Sequence, residues 1–129
     1  ANMYGKNFES YKKEAQHPFI VAQIESKKAV DNLNDIVSVQ GLDAIFIGPY
    51  DLSASINQTG NFEHKEFQSL LKKINLICKK NNMPTGVHVV NPSISELELN
   101  LKKGHNFIAF GMDTVFITKY ANLSEKYND

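Results

Sequence analysis

Arginine is absent from this 129-residue sequence, and all fourteen basic residues are lysines. Chemistry that needs a planar, bidentate clamp on a carboxylate must find it elsewhere. Cysteine is nearly absent: Cys78 stands alone, which excludes an internal disulfide and makes a reducing, cytoplasmic compartment the expectation. Net charge is also lacking, because fourteen acids balance the fourteen lysines. No lysine-rich tract is long enough to mark a nucleic-acid or membrane surface, so neither partner is expected. No segment has the layout of a signal peptide or the length of a membrane span. What is present is a 42% hydrophobic composition, enough for one α/β domain over residues 1–129 with a real core. The chain opens on Ala1, and its first residues read as the middle of something, so a fragment is expected.

Apolar periodicity sorts the chain into four strand-helix units. A short helix over 6–15, with Phe8 and Tyr11 on one side, stops at His17-Pro18. Phe19 to Ile24 is almost continuously apolar, as expected of a parallel strand covered on both faces. Ser26 suits the cap of a helix carrying Ala29, Leu33, Ile36 and Val37 on one face, and Gly41 ends it. Ala44 to Ile47 forms the second strand, followed by a Gly48-Pro49 turn and a loose stretch through Gly60. A long helix over 64–80 buries Phe67, Leu70, Leu71, Ile74, Ile77 and Cys78. Thr85 to Val90 is the third strand. The next helix, capped by Ser93 or Ser95, points Ile94, Leu97 and Leu101 inward and stops at Gly104. Phe107 to Phe110 is the fourth strand, with a weakly patterned helix over 114–120 and a frayed tail over 122–129. Four such units make either an open doubly wound sheet or half of an eight-unit barrel, which typically needs about 250 residues. Strand-end chemistry without a glycine-rich dinucleotide fingerprint favours the barrel.

That chemistry is acidic. Val21, Gln23 and Glu25 alternate onto one face of the first strand, which places Glu25 at its carboxyl end. Asp51 stands just past the second strand. Ligands of parallel α/β folds bind at this end, and hard divalent cations take one or two carboxylates while leaving places for water and substrate. Glu25 and Asp51 therefore suit an open metal site, although a helix cap and a turn would use the same residue types.

Gln23-Ile24-Glu25, the run Gly48-Pro49-Tyr50-Asp51-Leu52-Ser53-Ala54-Ser55, Gly86-Val87-His88-Val89 and Phe107 through Asp113 together resemble the HpcH/HpaI aldolases. The resemblance covers almost the whole chain but only the carboxyl-terminal half of that family's (β/α)8 TIM barrel, about its last four units. It implies metal-dependent, class II cleavage of 4-hydroxy-2-oxo acids to pyruvate and an aldehyde, as in the 4-hydroxy-2-oxoheptanedioate and 2-dehydro-3-deoxyglucarate aldolases. The family's metal ligands fall on Glu25 and Asp51, with Mg²⁺, Mn²⁺ or Co²⁺ as the cation. Gln23 falls on the glutamine that points into the same pocket. The turn Gly48-Pro49-Tyr50-Asp51 falls on the segment whose amides receive the pyruvate carboxylate. The cation stabilises an enolate, and no Schiff-base lysine is needed.

Departures from the family are equally informative. The family's arginine and proton-transfer histidine belong to its first half, and Tyr50 replaces a residue that is small in many members. A lone chain is thus expected to lack efficient activity and to self-associate through open sheet edges, with a homo-oligomer as the full-length form. The enzymatic rival is the citryl- or malyl-CoA lyase branch, disfavoured by the Gly-Pro-Tyr-Asp-Leu-Ser form and by the want of a basic surface for CoA. A non-catalytic metal- or 2-oxo-acid-binding remnant is the rival of another class. Among the remaining polar residues, His88 reads as a hydrogen-bonded core histidine, Asp113 as a helix cap and Cys78 as inert packing. His17, His64 and His105 lack ligand spacing, and the lysine pairs at 27–28, 72–73, 79–80 and 102–103 read as solvated faces.

Overall fold

The computed structural model describes residues 3–121. Its strands are β1 (Val21–Ile24), β2 (Ala44–Ile47), β3 (Thr85–Val89) and β4 (Phe107–Phe110), all parallel and hydrogen-bonded in sequence order. A doubly wound sheet reverses strand order at a switch point, whereas a barrel does not. The unbroken order β1-β2-β3-β4 is that of consecutive barrel units. The helices are α1 (Phe8–Glu14), α2 (Lys27–Asp31), α3 (Leu33–Val37), α4 (Pro49–Ala54), α5 (Lys65–Lys80), α6 (Ile94–Lys102) and α7 (Asp113–Ala121).

Register assigns the sheet two different faces. Ile24, Ile47, Val87 and Ile108 stand side by side across the four strands, and this face packs against Val30, Leu33, Phe67, Leu70, Ile74 and Cys78. The alternate residues Gln23, Phe46, Gly86 and Phe107 share the opposite face, where Gln23 is exposed and Phe46 and Phe107 are half-buried. Gly86 is required on this face, because a Cβ there would fall inside the Phe107 ring. Over the glycine, Phe46 and Phe107 stack with centroids 5.7 Å apart and planes 20° from parallel. Gly86→Ala is expected to displace this plate and cost about 1–3 kcal/mol. An unchanged thermal midpoint would show that the ring moves freely.

Several expectations need correction. The first strand spans only Val21–Ile24, and Phe19 and Ile20 are 73% and 47% exposed. Val21 is 39% exposed and Gln23 is exposed too, so the strand is not covered on both faces. The helix expected from Ser26 to Gly41 is two helices broken at Asn32, whose side chain donates to Lys28 O at 3.0 Å in competition with the helical backbone. Ser26 does cap α2, its Oγ accepting from Ala29 N–H, and Gly41 takes the left-handed conformation at φ +87° in the turn after α3. The stretch after Gly48 is not only a turn: α4 starts there with Pro49 in its first turn, where a missing N–H costs nothing. On α6 the inward residues differ from those expected. Ile94 and Leu101 are 69% and 53% exposed and Leu97 half-buried, whereas Asn100 is buried and turns its amide back to Glu96 O. The third strand ends at Val89 and the last helix spans Asp113–Ala121. The tail over 122–129 lies outside the described residues.

The lysine pairs are not all free in solvent. Lys27 meets Glu66 at 2.7 Å and Lys73 meets Asp31 at 2.8 Å, both joining α2 to α5. The Lys27 ammonium holds the Glu66 carboxyl below its ordinary range, as Lys73 does Asp31, but both pairs are solvated and contribute little to stability.

Candidate active site at the strand ends

Glu25 and Asp51 emerge at the carboxyl ends of β1 and β2, which are neighbours. The ladder continues past the strands, since Gly48 N–H donates to Ile24 O at 3.2 Å. Gly48 therefore sits beside Glu25, and the acid lies across it. A Cβ on Gly48 would come within 2.9 Å of Glu25 Cγ and 3.0 Å of its Oε1. The glycine is a cradle for this carboxylate. Glu25 is half-buried, and Asp51 is exposed three residues beyond Gly48, in the first turn of α4.

The other predicted residues are placed unequally. Gln23 lies on the same face as Glu25, one pleat deeper and level with Phe46. Pro49 opens α4, and the amides of Tyr50 and Asp51 belong to its first turn, which no side chain caps. The Gly48 amide, expected to be free, is spent on the ladder. The Tyr50 side chain, 43% exposed, lines a pocket that Phe62 and His88 also line. It packs edge-on against Phe62 at 5.0 Å, and Phe62 packs against Phe67 at 5.4 Å, tying α4 to the core.

Two carboxylates at adjacent strand ends fit a hard cation that keeps positions for water and substrate. Among the described residues, no group of three or more His, Cys, Asp and Glu side chains gathers as a ligand cluster. The open face also carries no lysine at Gln23, Glu25, Phe46, Gly48, Gly86, His88, Phe107 or Ala109, so an imine has no amine to form on there.

One histidine differs from expectation. His88 is hydrogen-bonded, to Gly111 O at 3.2 Å, but it belongs to the open face and is only half-buried. Its place two residues after Gly86 was the available signal, because alternation puts both on one face. His105 is buried beside Thr85, with Nδ1 3.3 Å from the hydroxyl, and desolvation, aided by the Lys103 charge, pushes its pKa down. Cys78 is packing as expected: burial pushes its thiol up to about 11, too high for a reactive thiolate at neutral pH. Asp113 accepts the Thr114 N–H at the start of α7.

Residues 3–119 match the family described as HpcH/HpaI aldolase/citrate lyase. The chain belongs to that family. A 5-keto-4-deoxy-D-glucarate aldolase of Escherichia fergusonii is 33% identical over 128 residues, which cover 98% of this chain and 49% of that protein. A 4-hydroxy-2-oxo-heptane-1,7-dioate aldolase of Escherichia coli is 33% identical over 102 residues, covering 79% of this chain and 38% of that protein. Among solved structures, an HpcH/HpaI aldolase from Desulfitobacterium hafniense DCB-2 superposes with a TM-score of 0.76 at 27% identity, over 84% of this chain and 42% of that one. The citrate synthase SbnG gives 0.75 at 20% identity, over 93% and 48%, a likeness of fold alone. The chain spans about half the length, or less, of the curated relatives it matches. Its four units are accordingly about half of a (β/α)8 barrel of the HpcH/HpaI family. No helix among the described residues is long and apolar enough to cross a membrane.

Proposed function

We propose that the protein carrying this chain is a class II aldolase, a carbon–carbon lyase that cleaves 4-hydroxy-2-oxo acids to pyruvate and an aldehyde. One observation carries the reading: Glu25 lies across Gly48 at the shared end of β1 and β2, one turn from Asp51. The family likeness narrows the chemistry, since relatives at 33% identity are named as aldolases of keto-deoxy and hydroxy-oxo acids.

Glu25 and Asp51 would hold a divalent cation, Mg²⁺, Mn²⁺ or Co²⁺. When bound, such an ion supplies Lewis-acid stabilisation of the charge that develops as the carbon–carbon bond breaks. The residues of this chain do the rest of the positioning. The Tyr50 and Asp51 amides, left without intrahelical partners, orient the carboxylate of the 2-oxo acid. Gln23 offers an amide from one pleat below, and the Phe46–Phe107 plate keeps water from the underside of the site. With no arginine in the chain, a fixed cationic donor to the keto oxygen has to come from outside these residues.

Calorimetric titration with Mn²⁺ tests the core of this reading. Glu25→Ala and Asp51→Ala are each expected to weaken binding at least tenfold, because removing one of two carboxylates halves the anionic donors. Variants that bind as the parent does would place the cation elsewhere.

A further inference from the structure

One pleat above the aromatic plate, the open face reads Glu25, Gly48, His88, Ala109. Gly48 follows Ile47, which pairs with Val87, and His88 pairs with Ala109. A carboxylate and an imidazole thus stand two strands apart with a glycine between them, and the carboxylate already leans over that glycine. Neighbouring strands are about 4.8 Å apart, so the backbones at Glu25 and His88 are separated by about 10 Å. The Glu25 carboxylate fills the part of that span over Gly48, which leaves about one strand spacing between it and the strand that carries the imidazole.

The imidazole is held in one tautomer. His88 Nε2 lies 3.2 Å from Gly111 O, and a carbonyl only accepts, so Nε2 carries the proton. Nδ1 of the neutral ring is then a bare acceptor. It makes no hydrogen bond among the described residues, and it is not sealed off, the one buried unpartnered side-chain atom among them being His64 Nδ1.

We propose that His88 is a specificity residue, its Nδ1 accepting a hydrogen bond from a hydroxyl on the end of the substrate away from the 2-oxo acid group. This rests on the functional reading above and adds the substrate class. A bare acceptor pairs with an O–H, gains nothing from an alkyl end and repels a carboxylate. The aldehyde half of the substrate is therefore hydroxylated rather than alkyl or acidic at that point.

Two ligands that differ by one terminal hydroxyl and lack the cleavable 4-hydroxyl provide the test: 2-oxopentanoate and 5-hydroxy-2-oxopentanoate, titrated calorimetrically with Mg²⁺ near pH 8. The parent chain is expected to bind the hydroxylated acid about fivefold more tightly, the value of one neutral hydrogen bond. His88→Leu should abolish that preference and leave 2-oxopentanoate affinity unchanged, while His88→Gln, whose amide oxygen accepts, should restore part of it. Imidazole ¹⁵N shifts of the parent should report the Nε2–H tautomer. Equal affinity for the two acids, an Nδ1–H tautomer, or a His88→Leu variant that weakens both ligands alike would overturn the role of His88 and leave the Glu25–Asp51 reading standing. If neither acid binds the parent, that reading fails and this inference with it.

Discussion

Gly48→Ala is expected to weaken divalent-cation binding by about 10- to 100-fold although it removes no ligand. The added methyl would lie 2.9 Å from Glu25 Cγ and 3.0 Å from Oε1, and the carboxylate must leave its place across the strand end. Folding should hardly register the change. Gly48 has φ −93° and ψ 91°, a conformation open to any residue, and what must move is the far end of a flexible side chain. Mn²⁺ calorimetry and thermal unfolding on the same sample check both halves of the expectation. Retained affinity would show that Glu25 binds the cation from another rotamer or not at all.

Phe67→Ala is expected to cost about 3–5 kcal/mol, a large part of the roughly 5–15 kcal/mol that stabilises a domain. Phe67 is 2% exposed and joins the core between the sheet and α5, and its ring supports Phe62, which in turn supports Tyr50. The loss should therefore extend beyond the cavity to the anchoring of α4, the helix that presents Asp51. Urea unfolding measures the first effect, and the near-ultraviolet circular dichroism of tyrosine reports the second. A cost below about 1 kcal/mol would mean that α5 is not a principal cover of the sheet.

Both variants act through contacts that differ in how visible they were beforehand. Phe67, Leu70, Ile74 and Cys78 recur at helical spacing, and all four are buried on α5, because a helix against a sheet must bury one stripe. The strand centres and the placing of Glu25 and Asp51 at strand ends were legible for a similar reason: buried parallel strands are short apolar runs, and the turns after them are polar. The same logic failed on α6. Ile94 and Leu101 sit at helical spacing, yet the described fold brings nothing over them, so periodicity identified a stripe without identifying its cover.

By itself, then, the sequence determined the α/β class, the four strand-helix units and the carboxylates at two successive strand ends. These follow from local alternation, helical spacing and turn residues, all of which act within a few positions along the chain. Only the tertiary structure decided the rest. Strand order separated consecutive barrel units from a doubly wound sheet, since pairing is a contact between distant segments. Register made Gly48 the cradle of Glu25 and moved His88 from the core to the open face beyond it, because a strand's alternation fixes two faces but not which of them is covered.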